Sequence, residues 1–197
     1  EKGIYPAALE QLARTVRLIR QNAGEWHVRR DAIVITGFSA GGHLAAEYAC
    51  KWDRPALSAA AEAEREELRP NALVLGYPVI TAGAAAHEES IHNLLGTQDT
   101  PKMRRSVSLE TQVSGCVPPV FLWHTATDEM VNAENSLLFA SALAREKIPY
   151  ELHIYGSGVH GVSLGTRATV GEEKHVSHDC AGWFAQAARF LERVLHE

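Results

Sequence analysis

Apolar residues in this chain follow two rhythms. Behind Pro6, a favourable first residue for a helix, Leu9, Leu12, Val16, Leu18 and Ile19 recur at helical spacing, and Asn22-Ala23-Gly24 ends the segment. Ala32-Ile33-Val34-Ile35-Thr36 is instead a continuous run, the composition of a strand covered on both faces. A helix from Gly42 to about Trp52 follows. Ser58 to Leu68, rich in alanine and glutamate, reads as a solvated surface helix. Ala72 to Tyr77 is a second buried strand and Val120 to His124 a third. Between them, Pro78 to Pro119 lacks strong periodicity and predicts a long loop with short helices. Asn132 to Arg145 predicts a helix capped by Asn132 or Asn135. Glu151 to Tyr155 alternates polar and apolar, as suits the edge of a sheet, and His178 to Leu195 predicts a closing helix.

Strands that alternate with helices call for right-handed crossovers and a parallel sheet with helices on both faces. The fold class is therefore α/β, in one domain over residues 1–197 with no internal repeat.

Chemistry enters between the first strand and the helix after it. Gly37-Phe38-Ser39-Ala40-Gly41-Gly42 places Gly-x-Ser-x-Gly at a strand-to-helix turn. Such a turn is so sharp that its flanks need little or no side chain, freedom that Gly37 and Gly41 supply, and it lifts the serine hydroxyl above the sheet. A dinucleotide fingerprint is excluded because its second glycine position is Ser39, and a P-loop because Gly41-Gly42 is followed by His43. The plainer reading, a serine that only caps the helix, is disfavoured by the strand before it and the helix after it. The Ala40 N–H then faces the place where an oxyanion would form.

A serine hydroxyl needs a histidine to take its proton, and the histidine needs an acid to fix its tautomer. Among Asp31, Asp53, Asp99, Asp128 and Asp179, only Asp128 sits just past a strand's end. Its neighbour Glu129 lies one residue nearer the next helix. The chain has 10 histidines. His160, in Gly156-Ser157-Gly158-Val159-His160-Gly161 beyond the fourth strand, is placed where a base could reach the serine. His43, in the first turn after Ser39, reads as structural, and His124 as buried packing. His87 and His92 fall in the long loop, where substrate contact and plain solvation are equally open. His175, His178, Asp179 and Cys180 lack the second cluster that a tetrahedral metal site needs, so no metal is expected. No cofactor is expected either.

A net charge of -5 gives no reason to expect nucleic acid or an anionic membrane as partner, and no apolar stretch approaches the roughly 20 residues of a membrane helix. Cys50, Cys116 and Cys180, an odd and widely spaced set, read as free thiols of a reducing, cytoplasmic setting.

Several longer stretches carry a resemblance. Pro6 to Glu10, Gly37 to Ala45, Leu75 to Ile80, Pro118 to Thr125, Asp128, Asn135-Ser136, and Tyr155 to Gly161 resemble, in order, the acetyl-esterase-like α/β-hydrolases, often described as xylan or feruloyl esterases. The resemblance implies a serine esterase whose serine, aspartate and histidine fall on Ser39, Asp128 and His160, acting on acetylated or feruloylated sugars. Members of that family begin with further strands and a glycine-rich loop that gives a second oxyanion donor. It therefore implies four strands ahead of this chain's first helix, and leaves the Ala32–Thr36 strand with an uncovered edge. Such an edge invites pairing with another copy, hence a homo-oligomer. The polar loop residues Arg104, Arg105 and Gln112 suit a polar ester. Within the same fold a prolyl-oligopeptidase-type peptidase or a thioesterase remains an alternative, as does an inactive fragment or binding module.

Overall fold

The computed structural model describes residues 5–169 and 172–196. Four strands, β1 (Val34–Phe38), β2 (Ala72–Gly76), β3 (Val120–Thr125) and β4 (Tyr150–Tyr155), form one parallel sheet in the order β1-β2-β3-β4. Spatial order therefore equals chain order. The expected parallel α/β architecture holds, with β4 at one edge and β1 at the other.

Both inner strands are buried throughout because both faces are covered, and only His124 and Thr125 at the end of β3 are polar. Leu73 and Leu75 of β2 and Val120 and Leu122 of β3 point into one core, shared with α1 (Ala7–Gln21), α2 (Ser39–Lys51) and α6 (Glu134–Arg145). Val74, Phe121 and Trp123, the alternate positions, pack instead on Trp183, Ala187 and Phe190 of α7 (Trp183–His196). A third cluster, with Val79, Ile91, Leu95 and Val107, lies under the long connection.

Four expectations shift in detail. The first strand runs to Phe38 and not Thr36, because Gly37 and Phe38 still pair with Leu75 and Gly76, so the following helix starts at Ser39. Among the described residues β1 pairs only with β2, which leaves the open edge expected for it, but Thr36 is exposed, so this strand is not covered on both faces along its length. The segment from Ser58 to Leu68 is not one solvated helix. α3 (Pro55–Ala61) stops where Glu62 turns left-handed at φ 51°, and a 3₁₀ turn (Arg65–Leu68) follows with Leu57, Ala61 and Leu68 buried. The last helix begins at Trp183, behind Gly182, because its apolar face starts there.

The long connection holds α4 (Glu88–Leu95), α5 (Pro101–Val107) and short 3₁₀ turns, as the weak periodicity predicts. Ahead of α6, Asn132 Oδ1 accepts the Glu134 N–H at 2.8 Å. Asn135 does something else: its buried Oδ1 accepts the N–H groups of Ile80 and Thr81 at 2.8 and 3.0 Å, tying α6 to the chain leaving β2.

Candidate active site

Ser39 ends the turn from β1 into α2 with φ 53°, a left-handed conformation that a residue with a Cβ adopts only under constraint. The constraint is close packing of helix on strand. A Cβ at Gly37 would stand 2.3 Å from the Gly41 carbonyl oxygen and 2.9 Å from Ala45 Cβ. One at Gly42 would meet Pro78 Cβ at 2.7 Å. The sequence pattern pairs Gly37 with Gly41, but a Cβ at Gly41 would have nothing within 4 Å. The second position that must be small is Gly42, because Pro78, just after β2, presses on α2 there.

The three candidate residues lie in one hydrogen-bonded chain. His160 Nε2 is 2.8 Å from Ser39 Oγ, and His160 Nδ1 is 2.7 Å from Asp128 Oδ2. A carboxylate only accepts, so Nδ1 carries the hydrogen and Nε2 is left to accept the serine proton. Asp128 is buried while Glu129 is exposed, which decides between the two neighbouring acids. Asp128 Oδ1 also accepts the N–H groups of Met130 and Val131, each at 2.9 Å. Burial alone would raise the Asp128 pKa. The hydrogen bonds from His124, His160 and the Val131 N–H outweigh it together and hold the carboxyl well below the usual carboxylate range.

The loop that carries His160 is pinned from β3. Thr125 Oγ1 and Thr127 Oγ1 donate to the Gly158 carbonyl at 2.9 and 3.0 Å, and Thr127 Oγ1 accepts the Gly158 N–H at 2.9 Å. Tyr77, at φ 37° just past β2, packs its ring edge-on against the imidazole at 4.9 Å, and its hydroxyl accepts the Ser163 N–H at 3.3 Å. Trp123 and Phe38 brace the Tyr77 ring from its other sides.

Ala40, the expected oxyanion donor, sits exposed in the first turn of α2, where the first four helical N–H groups lack intrahelical partners. Two cavities of about 300 and 240 Å³ flank it. The larger is bounded by Pro6, Leu9, Gly41 and Leu44, and the smaller by Val79, Ile91 and Leu94. Both are mainly apolar where they adjoin the turn.

The other histidines separate clearly. His43 is buried, with Nδ1 3.2 Å from the Val79 carbonyl, and burial pushes its pKa down against the pull of Glu47 and that carbonyl. Its Nε2 has no hydrogen-bond partner among the described residues, and the residue lines both cavities beside Ala40. His87 accepts the Ser90 N–H at 3.3 Å and caps α4, and His92 is exposed. His124 is more than packing: both ring nitrogens are hydrogen-bonded and Nε2 lies 3.4 Å from Asp128 Oδ2. Its i, i+4 spacing to the acid was the available signal, hidden because the strand around it is otherwise apolar. Arg104 is not free for a substrate, since Asp99 and Glu88 each hold it at 2.7 Å. No group of three or more His, Cys, Asp or Glu among the described residues is arranged to hold a metal ion. The three cysteines are unpaired, and burial pushes the Cys50 thiol up to about 12.

A parallel sheet with a strained strand–serine–helix turn, and with a histidine and a buried aspartate brought to it from later loops, is an α/β-hydrolase fold. The chain belongs to the BD-FAE family, whose model matches residues 1–143. It is 38% identical over 161 residues to endo-1,4-beta-xylanase B of Butyrivibrio fibrisolvens, covering 82% of this chain and 25% of that protein. It is 32% identical over 155 residues to an acetylxylan esterase of Xylanibacter ruminicola, covering 76% of this chain and 30% of that one. The chain thus spans between a quarter and a third of these curated relatives. The fold matches the carboxylesterase Cest-2923 of Lactobacillus plantarum with a TM-score of 0.84 and 31% identity, over 98% of this chain and 70% of that one.

Proposed function

We propose that this chain carries the nucleophile, base and acid of a serine carboxylesterase that acts on short acyl esters of sugars, with xylan esters as the substrate class. The single observation that carries the reading is the continuous hydrogen-bonded path Ser39–His160–Asp128 at 2.8 and 2.7 Å, with Ala40 beside it at a helix N-terminus. In this mechanism Ser39 Oγ attacks the ester carbonyl carbon as His160 Nε2 takes its proton. The carbonyl oxygen becomes an oxyanion facing the Ala40 N–H. Collapse expels the alcohol, which receives the proton from His160 and leaves an acyl group on Ser39. Water then repeats the sequence, giving up a proton to His160 while attacking the acyl carbonyl, and the acid departs as Ser39 recovers its hydrogen. Asp128 stays ionised throughout and stabilises the transient imidazolium.

The sugar-ester assignment draws support from the xylan-related relatives and from the small cavities beside Ala40, which suit a compact acyl group. Hydrolysis of p-nitrophenyl acetate and of acetylated xylan, compared between the wild type and Ser39→Ala, tests the reading. Wild-type turnover that vanishes in Ser39→Ala, with an unchanged melting temperature, is the expected result. Equal activity in the two proteins refutes the serine mechanism.

A further inference from the structure

His124 is a fully buried polar residue in a strand whose other positions from Val120 to Trp123 are all buried and apolar. A polar ring in such a place is costly unless each nitrogen is paired, and here each is. The Val131 carbonyl, 2.8 Å from Nε2, can only accept, so Nε2 carries a hydrogen. That same nitrogen lies 3.4 Å from Asp128 Oδ2. Nδ1 lies 2.8 Å from Ser136 Oγ near the start of α6 and, in the neutral ring, accepts its hydrogen. The imidazole thus joins α6 to the turn from Asp128 to Val131. Asp128 meets N–H groups on every side: Met130 and Val131 at Oδ1, and His160 with His124 at Oδ2.

We propose that His124 is a positioning residue for the esterase reaction. By donating from Nε2 to the Val131 carbonyl while facing Asp128 Oδ2, it holds the turn so that the carboxylate points at His160. This rests on the roles given above to Ser39, His160 and Asp128. His124 does not face solvent, so its effect falls on the chemical step and not on substrate binding.

Two substitutions separate positioning from packing. The amide of His124→Gln reaches the place of Nε2 and keeps the donor towards Val131 and Asp128. That of His124→Asn reaches only the place of Nδ1 and keeps the Ser136 contact. Each variant is examined by the rate of covalent labelling of Ser39 with a fluorophosphonate, by kcat and KM on p-nitrophenyl acetate, by the far-downfield proton resonance of His160 Nδ1–H, and by its melting temperature. Misplacing a catalytic group by about 1 Å costs on the order of 10²-fold, so Asn should slow labelling and kcat by about that factor with KM unchanged. It should also broaden the downfield resonance. Gln should restore both. Wild-type labelling and an unchanged resonance in the Asn variant overturn the proposal. So do equal losses in Gln and Asn that track a shared drop in melting temperature. If the wild type is not labelled at all, the esterase reading fails, while the resonance comparison still decides the part played by His124.

Discussion

Asp128→Asn should cost far more than the loss of one negative charge suggests, because the surroundings dictate which way the amide points. Oδ1 accepts two backbone N–H groups at 2.9 Å, from Met130 and Val131. An amide NH₂ in that position would aim its hydrogens at two donors. The Asn carbonyl therefore takes the place of Oδ1, and its NH₂ takes the place of Oδ2, 2.7 Å from His160 Nδ1. There it also faces the donor at His124 Nε2, 3.4 Å away. His160 Nδ1 must now accept, so the ring hydrogen moves to Nε2, 2.8 Å from Ser39 Oγ. The base becomes a donor towards the group it has to deprotonate.

Where an enzyme's histidine is held in the wrong tautomer by this substitution, kcat falls about 10⁴-fold, or roughly 5.5 kcal/mol of barrier. The expected outcome for Asp128→Asn is a fall of that size in kcat on p-nitrophenyl acetate. KM should be nearly unchanged and the circular dichroism spectrum native. A variant that keeps more than about a tenth of wild-type turnover would refute both the tautomer argument and the role given to Asp128.

Three further outcomes follow from the same geometry. Gly37→Ala should lower stability by about 1–3 kcal/mol or more, because its Cβ would stand 2.3 Å from a backbone oxygen, while Gly41→Ala should melt like the wild type because its Cβ meets nothing; matching melting temperatures for the two variants would remove the close-packing account of the turn. Glu47 and Lys51, only 1% and 2% exposed, are paired at 2.5 Å within α2, the helix that Ser39 begins, so Lys51→Met should cost about 3–5 kcal/mol by stranding the carboxylate. The double variant Glu47→Leu with Lys51→Met should recover most of that loss in chemical denaturation, and a double variant no better than the single would disprove the coupling. Asp128, held below its unfolded value of about 3.9, contributes stability that is complete above that pH and lost as pH falls towards its folded value. Acid unfolding should therefore be shallower in Asp128→Asn than in the wild type, and identical profiles would show that the carboxylate is not so held.

The meeting of Ser39, Asp128 and His160 was legible because each follows a strand of recognisable composition, and because serine, acid and histidine occur in the chain order this fold requires. What stayed hidden depends on contacts between segments far apart in sequence. Nothing in Gly41-Gly42 says which glycine is under pressure; Pro78, brought in by β2, decides it. His124 reads as packing because its strand is apolar, and only the turn back from Thr125 to Val131 reveals that its ring faces the acid. Arg104 reads as available to substrate until α4 and Asp99 close on it. The break at Glu62 is hidden as well, since glutamate is a good helix former, yet here it takes the left-handed conformation that closes α3 with its N–H on the Ser58 and Ala59 carbonyls.

The strand order explains why the Ser39–His160–Asp128 contact needs more than those three residues. Because spatial order equals chain order, β1, which delivers Ser39, and β4, which delivers His160, are separated by two strands. At roughly 4.8 Å per strand this is about 14 Å across the sheet, far beyond the reach of an imidazole. The loop after β4 must therefore lean back over the ends of β3 and β2 to bring Nε2 within 2.8 Å of Ser39. Each strand end that it crosses supplies a support. β3 supplies Thr125, its last residue, and just beyond it Thr127 and Asp128, which bind Gly158 and His160 directly. β2 supplies Tyr77, whose strained backbone and braced ring put an aromatic edge under the imidazole and a hydroxyl on the Ser163 N–H. Pro78, the next residue, presses on Gly42 and so reaches the serine's own helix. The serine and histidine, far apart along the chain, are thus held in register through contacts that run from β1 across β2 and β3 to β4. A change at Tyr77 or Thr127 should consequently act on the Ser39–His160 distance first, and on the stability of the sheet only second.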